Sequence, residues 1–327
     1  MRWLGVVALV GCGRLSFDPR DDARDAAPGL DSGPARACPA GPLTCGAEST
    51  TCCESLVVPG GTFLRGFDRA SDGLYSDASF PASVSAFRLD TFEVTVGRFR
   101  PFVEANGGTQ AAPPTPNAGV QANGLGGWDP SWNQYLPAAR AQLETALACS
   151  TSASWTTTPG ANEKLAISCV SWFEAAAFCA WDGGFLPSEA QWNFAASGGD
   201  EQRVYPWSQP PESPTLDATL AIYNCLGDGV PGCDAAEMLI EVGSRPLGRG
   251  RWGQLDLAGS QWEWSFDADQ PFMNPCNDCE RAPLSGSSVV RGGYWANSSD
   301  NLRNGHRGSE SAISGPRWMG VRCARPL

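Results

Sequence analysis

The sequence predicts an α+β fold, built as one large domain in which ordered loops outweigh regular elements. Helix signals are few and strand-like runs are short, SVVRGG at 288–293 being typical. The 327 residues include 38 Gly, 26 Pro and 13 Trp with only 18% charged, the composition of a turn-rich, well-packed globule rather than a disordered chain. From Leu56 to Leu327 about 270 residues run without a linker-like break or an internal repeat, which suits a single domain.

The chain opens MRWLGVVALVGC. One Arg and a short apolar run closed by small residues form an export signal too short to span a bilayer. The ending Leu9-Val10-Gly11-Cys12 resembles a bacterial lipobox, which implies cleavage before Cys12 and acylation of its thiol. Residues 1–11 are therefore expected as a lipoprotein signal peptide and 12–37 as a lipid-anchored tether. SFDPRDDARDAAPGLDSGPARA (16–37) offers almost nothing to bury. Acyl chains on Cys12 would hold the protein on a membrane of the bacterial cell envelope, facing the periplasm or exterior, without crossing it. A formal charge of −12 argues against nucleic acid or anionic lipid as partner.

With Cys12 set apart, 12 of the 13 cysteines remain, an even set that reads as disulfides in an exported chain. CPAGPLTCGAESTTCC sits in a small knot, residues 38–55. Adjacent Cys52 and Cys53 would strain if joined to each other, so each is expected to pair with Cys38 or Cys45. Thr95 is read as the cap of a helix over 96–105 that stops at Asn106-Gly107. A second helix is expected near 137–148. Ser171 and Glu174 form a capping box opening a helix that carries Phe178, Cys179 and Trp181 and ends at Gly183-Gly184. Ser188 and Gln191 repeat the device after Pro187, with Gly198-Gly199 as the stop.

Eight segments then follow in a fixed order: VPGGTFLRG (58–66), FRLDTFEVTVGRFRPFV (87–103), CVSWFEAAAFCAWDGGFLPSEAQWNFAASGG (169–199), YPWS (205–208), VGS (242–244), WGQLDLAGSQWEW (252–264), VVRGGYW (289–295) and GVRCA (320–324). Together they resemble the formylglycine-generating enzyme, or sulfatase-modifying factor, family over nearly all of 56–327. The resemblance implies a single compact α+β domain of C-type-lectin-like type. It also implies oxidation of a protein cysteine to formylglycine with O2 and a copper ion held by two cysteines. Cu(I) is soft and wants thiolates. Counted from Gly293, the two family positions hold Asn297 and Leu302, and the nearest cysteines are Cys279 and Cys323. An amide and an alkyl chain cannot stand in for two thiolates, so copper is not expected and no catalytic residue is assigned. His306, the single histidine, lacks any nucleophile context and reads as a groove or surface side chain.

The resemblance also implies calcium. WGQLDLAGSQWEW would supply Asp256, the carbonyls of Gly259 and Gln261, and Glu263, all oxygen donors as a hard cation needs. A second site would use Asn224, the Cys225 carbonyl, Asp234 and the Ala236 carbonyl, with Asp228 as a competing ligand. Cys179 and Cys323 match a family disulfide whose closure of about 140 residues contributes roughly 4–5 kcal/mol in a chain-entropy estimate. A second family bridge would need cysteines near Ala196 and Arg307, and both are missing. Cys149–Cys169 and Cys225–Cys233 read as local bridges. Cys276–Cys279 reads as a tight structural disulfide rather than a redox pair or half a zinc site. Trp181, Trp192 and Trp207 are read as core. Arg291, Arg303, Arg307, Arg317 and Arg322 are left between carboxylate pairing and groove lining.

The expected function is thus an anchored, non-oxidising family member that binds a peptide, protein or glycan in the inherited groove. The alternative is a formylglycine-generating oxidase, and a third reading is a passive component of an envelope assembly.

Overall fold

A computed structural model of the chain describes residues 38, 43–226, 240–283 and 286–327. The signal peptide, Cys12, the tether, Asp228, Cys233, Asp234 and Ala236 lie outside the described residues.

The α-helices α1 (Val96–Glu104), α2 (Arg140–Leu147), α3 (Trp172–Trp181) and α4 (Glu189–Ala196) occupy the four segments that carry helix signals. Thr95 caps α1 by accepting from the Arg98 N–H at 3.2 Å. Both capping boxes are complete, Ser171 with Glu174 and Ser188 with Gln191. Each box satisfies two N–H groups, of the cap and of the third helical residue, that would otherwise lack partners. Gly183 (φ +80°) and Gly198 (φ +65°) follow the ends of α3 and α4 in left-handed backbone, which glycine adopts without a Cβ penalty. α2 is shorter than its expected span because Pro137–Ala139 has no capping side chain and Ala139 is extended.

Among the described residues the strands are short and spread over four small sheets. The longest, Trp262–Ala268, pairs antiparallel with Ser287–Arg291 and parallel with Met319–Gly320, while Gly308–Ser311 closes the outer edge on Ser287–Arg291. α3 and α4 both pack against Trp262–Ala268. Ser55–Val58, Phe87–Asp90 and Ala324–Arg325 form a second sheet, and Gly61–Leu64, Pro81–Val84 and Cys276–Asn277 a third. The knot is a hairpin of Thr44–Cys45 with Thr50–Thr51, bridged Cys45–Cys52 and Cys38–Cys53, so the two adjacent cysteines pair apart.

The core lies between α1, α3 and the central sheet. Phe99 stacks on Phe178 with centroids 4.9 Å apart, and Phe102 meets both edge-on. Trp172, Phe173 and Trp264 are fully buried beside them. Such aromatics supply most of the apolar area a loop-rich fold can bury. Cys179–Cys323 ties α3 to the C-terminal segment across 144 residues. Cys149–Cys169 and Cys276–Cys279 are also formed. Cys225 is disulfide-bonded, and its expected pairing with Cys233 falls outside the described residues. Ala196 is buried, and Arg307 is ion-paired to Glu189.

Candidate ligand-binding site

The loop after strand Ser287–Arg291 begins at Gly292 (φ +94°) and Gly293 (φ +76°). A Cβ on Gly293 would stand 2.9 Å from Leu302 Cδ1, so the turn and the leucine interlock. Leu302 is 1% exposed and belongs to an apolar cluster with Val204, Tyr205, Ala221 and Ala258. Asn297 closes the turn on itself: its N–H donates to the Tyr294 carbonyl at 2.8 Å, and its Oδ1 accepts from the Tyr294 N–H at 2.9 Å. Neighbouring backbone stitches the loop down. Asn224 N–H donates to the Asn297 carbonyl, Cys225 N–H to the Trp295 carbonyl, and Trp295 N–H to the Ser260 carbonyl.

Between Asn297 and Leu302 the chain passes Ser298, Ser299 and Asp300, which form one wall of a cavity of about 440 Å³. Tyr205, Tyr223, Asp72 and Arg303 line other parts of it. Arg303 is clamped by Asp68 through two bonds of 2.9 and 2.5 Å and reaches Asp72 at 2.5 Å. Its hydrogen bond holds the exposed Asp72 carboxyl below the usual range. Burial pushes Tyr205 up to about 12, so the phenol keeps its proton and donates to the Ser299 carbonyl. The charged side chains lining the cavity are two carboxylates, Asp72 and Asp300, and one guanidinium, Arg303, an excess of negative charge.

His306 sits behind that wall. Its Nδ1 lies 2.9 Å from the Tyr75 hydroxyl and its Nε2 3.2 Å from the Asn301 amide. Burial, then the nearby Arg291 charge, lowers it to about 4, so the ring is neutral at neutral pH.

Across the same sheet, Glu263 takes the Arg322 guanidinium on both oxygens at 2.6–3.0 Å and also accepts from Trp192 Nε1. Asp256 is buried with left-handed backbone, and its Oδ2 accepts from the Gly243 N–H at 2.6 Å.

A family model for the sulfatase-modifying factor enzyme 1-like domain matches residues 43–327. The chain belongs to this family. Its match to the mouse protein named inactive C-alpha-formylglycine-generating enzyme 2 is 31% identical over 294 residues, covering 82% of this chain and 84% of that one. Mouse formylglycine-generating enzyme is 25% identical over 86% of this chain and 77% of its own length. A hercynine oxygenase from Mycolicibacterium smegmatis is 27% identical, and the match spans only 60% of that longer relative. In fold the chain is similar to PvdO from Pseudomonas aeruginosa, with a TM-score of 0.57 at 19% identity over 88% of this chain and 99% of the other. The α+β reading and the family resemblance therefore hold.

Within this family member, the structure brings Asn297 to the rim of the loop and sends Leu302 into the interior. Asp256 and Glu263 are both buried, but Glu263 is already shared between Arg322 and Trp192. Asn224 and Cys225 adopt left-handed backbone beside the loop. Among the described residues no group of three or more His, Cys, Asp or Glu side chains is placed to hold a metal. The arginines divide clearly: Arg291 pairs with Glu189, Arg307 with Glu189 and Asp269, and Arg322 with Glu263, while Arg303 lines the cavity and Arg317 lies over Trp295. Trp192 is core, Trp181 packs on Phe102, and Trp207 is half-buried, stacked on Tyr205.

Sequence reasoning missed Glu93. It is wholly buried, accepts from the Ser260 hydroxyl and the Gln261 N–H, and is raised well above the carboxylate range by burial, then by Asp256 and Glu263. The signal was present: a lone carboxylate between Phe92 and Val94, both core residues. It also missed Asp68 and Asp72, which sit in an irregular segment whose only regular feature is its turns.

Proposed function

We propose that the chain is a non-oxidising binding module of the sulfatase-modifying factor family that takes a peptide bearing basic side chains into the cavity beside loop 294–302. The observation that carries this reading is the fate of the two family thiolate positions. Asn297 has its amide in the turn and Leu302 its alkyl chain in the core, while the cavity next to them stays open. Carboxylates, phenols and hydroxyls line that space, and excess negative charge favours a cationic partner. The mouse relative's name, an inactive enzyme, supports the same direction.

Calcium belongs to this reading as a structural ion. The donors it would use are Asp256, Glu263 and the carbonyls of Gly259 and Gln261, and the charges acting on Asp256 include Arg322 and Arg245 as well as Glu263. Such an ion would supply charge neutralisation and rigidity under the loop. On this reading export and acylation of Cys12 would hold the module at an envelope membrane.

Calorimetry with matched Lys/Arg-containing and Glu-containing peptides tests the proposal. The basic set should bind, and Asp72→Asn with Asp300→Asn should weaken binding about tenfold, or about 1.4 kcal/mol, without lowering the melting temperature. Incubation with Cu(I), O2 and a cysteine peptide should yield no aldehyde. Aldehyde product would establish the oxidase alternative instead.

A further inference from the structure

We infer that the Cys276–Cys279 bridge is a thiol–disulfide exchange site, with Cys279 as its nucleophile when reduced. The two cysteines are three positions apart with Cα atoms 5.1 Å from each other. Arg65 Nη1 donates to Cys279 Sγ at 3.4 Å. Cys276 is 5% exposed, whereas Cys279 is only partly buried, so an outside thiol meets Cys279 first.

Arg65 is fixed there. Its Nη2 donates to the Met273 carbonyl, its guanidinium lies 4.8 Å from the centre of the Phe272 ring, and its Nε has no partner among the described residues. Nearby Arg291 and Arg307 share the Glu189 carboxylate, whereas the hydrogen bonds of Arg65 go to a neutral carbonyl and a sulfur. A buried cation aimed at a sulfur atom stabilises that atom as thiolate, the reactive form. The turn between the cysteines is pinned independently of the bridge. Asp278 accepts from both the N–H and the hydroxyl of Ser85 at 2.6 Å, and Cys276 and Asn277 pair with Ala82 and Ser83. Opened sulfurs are thereby kept in place to close again. The Cys179–Cys323 bridge differs, with both residues at 0% exposure.

The chemistry balances with an external dithiol as reductant. Two electrons pass to the bridge and its S–S bond breaks; Cys279 becomes a thiolate beside Arg65, Cys276 takes one dithiol proton, the other goes to solvent, and the dithiol becomes a disulfide. In the forward direction the Cys279 thiolate attacks a substrate disulfide and forms a mixed disulfide, and one substrate sulfur leaves as thiolate. Cys276 then loses its proton and attacks Cys279 Sγ. That step releases the second substrate thiolate and restores the bridge.

The test is equilibration of the intact chain in graded dithiothreitol or glutathione buffers, followed by alkylation and mass spectrometry of each bridge. Cys276–Cys279 should open before Cys179–Cys323. Reduced Cys279 should react with iodoacetamide with an apparent pKa at least about one unit below the ordinary thiol value of about 8.5. Arg65→Gln should slow that reaction at pH 7 about tenfold, and Arg65→Lys should restore most of it. A bridge that opens last in the wild-type chain, or an Arg65→Gln chain with unchanged Cys279 reactivity, overturns the assignment. The wild-type order of opening decides even if Arg65 variants fold poorly.

Discussion

Strand Trp262–Ala268 and the loop 292–302 touch the same sheet, yet they are held by opposite means. The strand keeps its charge inside: Glu263 is 1% exposed and grips a fully buried Arg322, which also donates to the carbonyls of Asp90, Thr91 and Leu255. The loop is held by main-chain bonds with Asn224, Cys225, Gly259 and Ser260, plus one inserted leucine. Side chains on its outer arc, Ser298 to Asp300, are exposed and face the cavity. Chemistry placed on such a loop can be removed without dismantling the scaffold, because the scaffold's polar joints lie elsewhere.

The comparison breaks most readily at the strand. Arg322→Leu leaves Glu263 buried without its counter-charge and should cost about 3–5 kcal/mol in urea unfolding. Glu263→Leu in the same chain should recover part of that loss. If the single variant costs no more than a surface change, the strand does not depend on its ion pair. Leu302→Ala should cost about 3 kcal/mol, as expected for a buried leucine in a packed cluster. A smaller loss would mean that main-chain bonds alone hold the loop.

The smallest effect concerns pH. His306 falls to about 4 in the folded chain against an ordinary value near 6.5. Between these values the unfolded chain binds more protons, so stability rises with pH across that window. It is fully present above about 6.5 and lost as pH falls through about 4. The contribution is on the order of 2 kcal/mol after allowance for the ring's partial exposure. His306→Gln should flatten the melting temperature between pH 6.5 and 4, and an NMR titration of the ring should read the lowered value directly.

Local signals in the sequence identified the helices because capping is written in neighbouring residues: Ser171 with Glu174, Ser188 with Gln191, Thr95 with Arg98. The absence of cysteine between Gly293 and Leu302 was equally legible, since it required only a count from Gly293. The cavity was not. Its walls come from Asp72, Tyr205, Tyr223 and Ser299, segments far apart in the chain and joined by irregular turns that leave no periodic trace. Glu93 escaped for a related reason, because a carboxylate beside an α-helix cap reads as surface until the fold closes over it.

The reciprocal bonding of Asn297 with Tyr294 makes residue 297 a joint of the turn. A thiol at 297 would leave the Tyr294 N–H without its acceptor and free the bend. A thiol at 302 would open a gap against the Gly293 turn. Either substitution alone therefore weakens the fold, so the two ends of the loop can change identity only together.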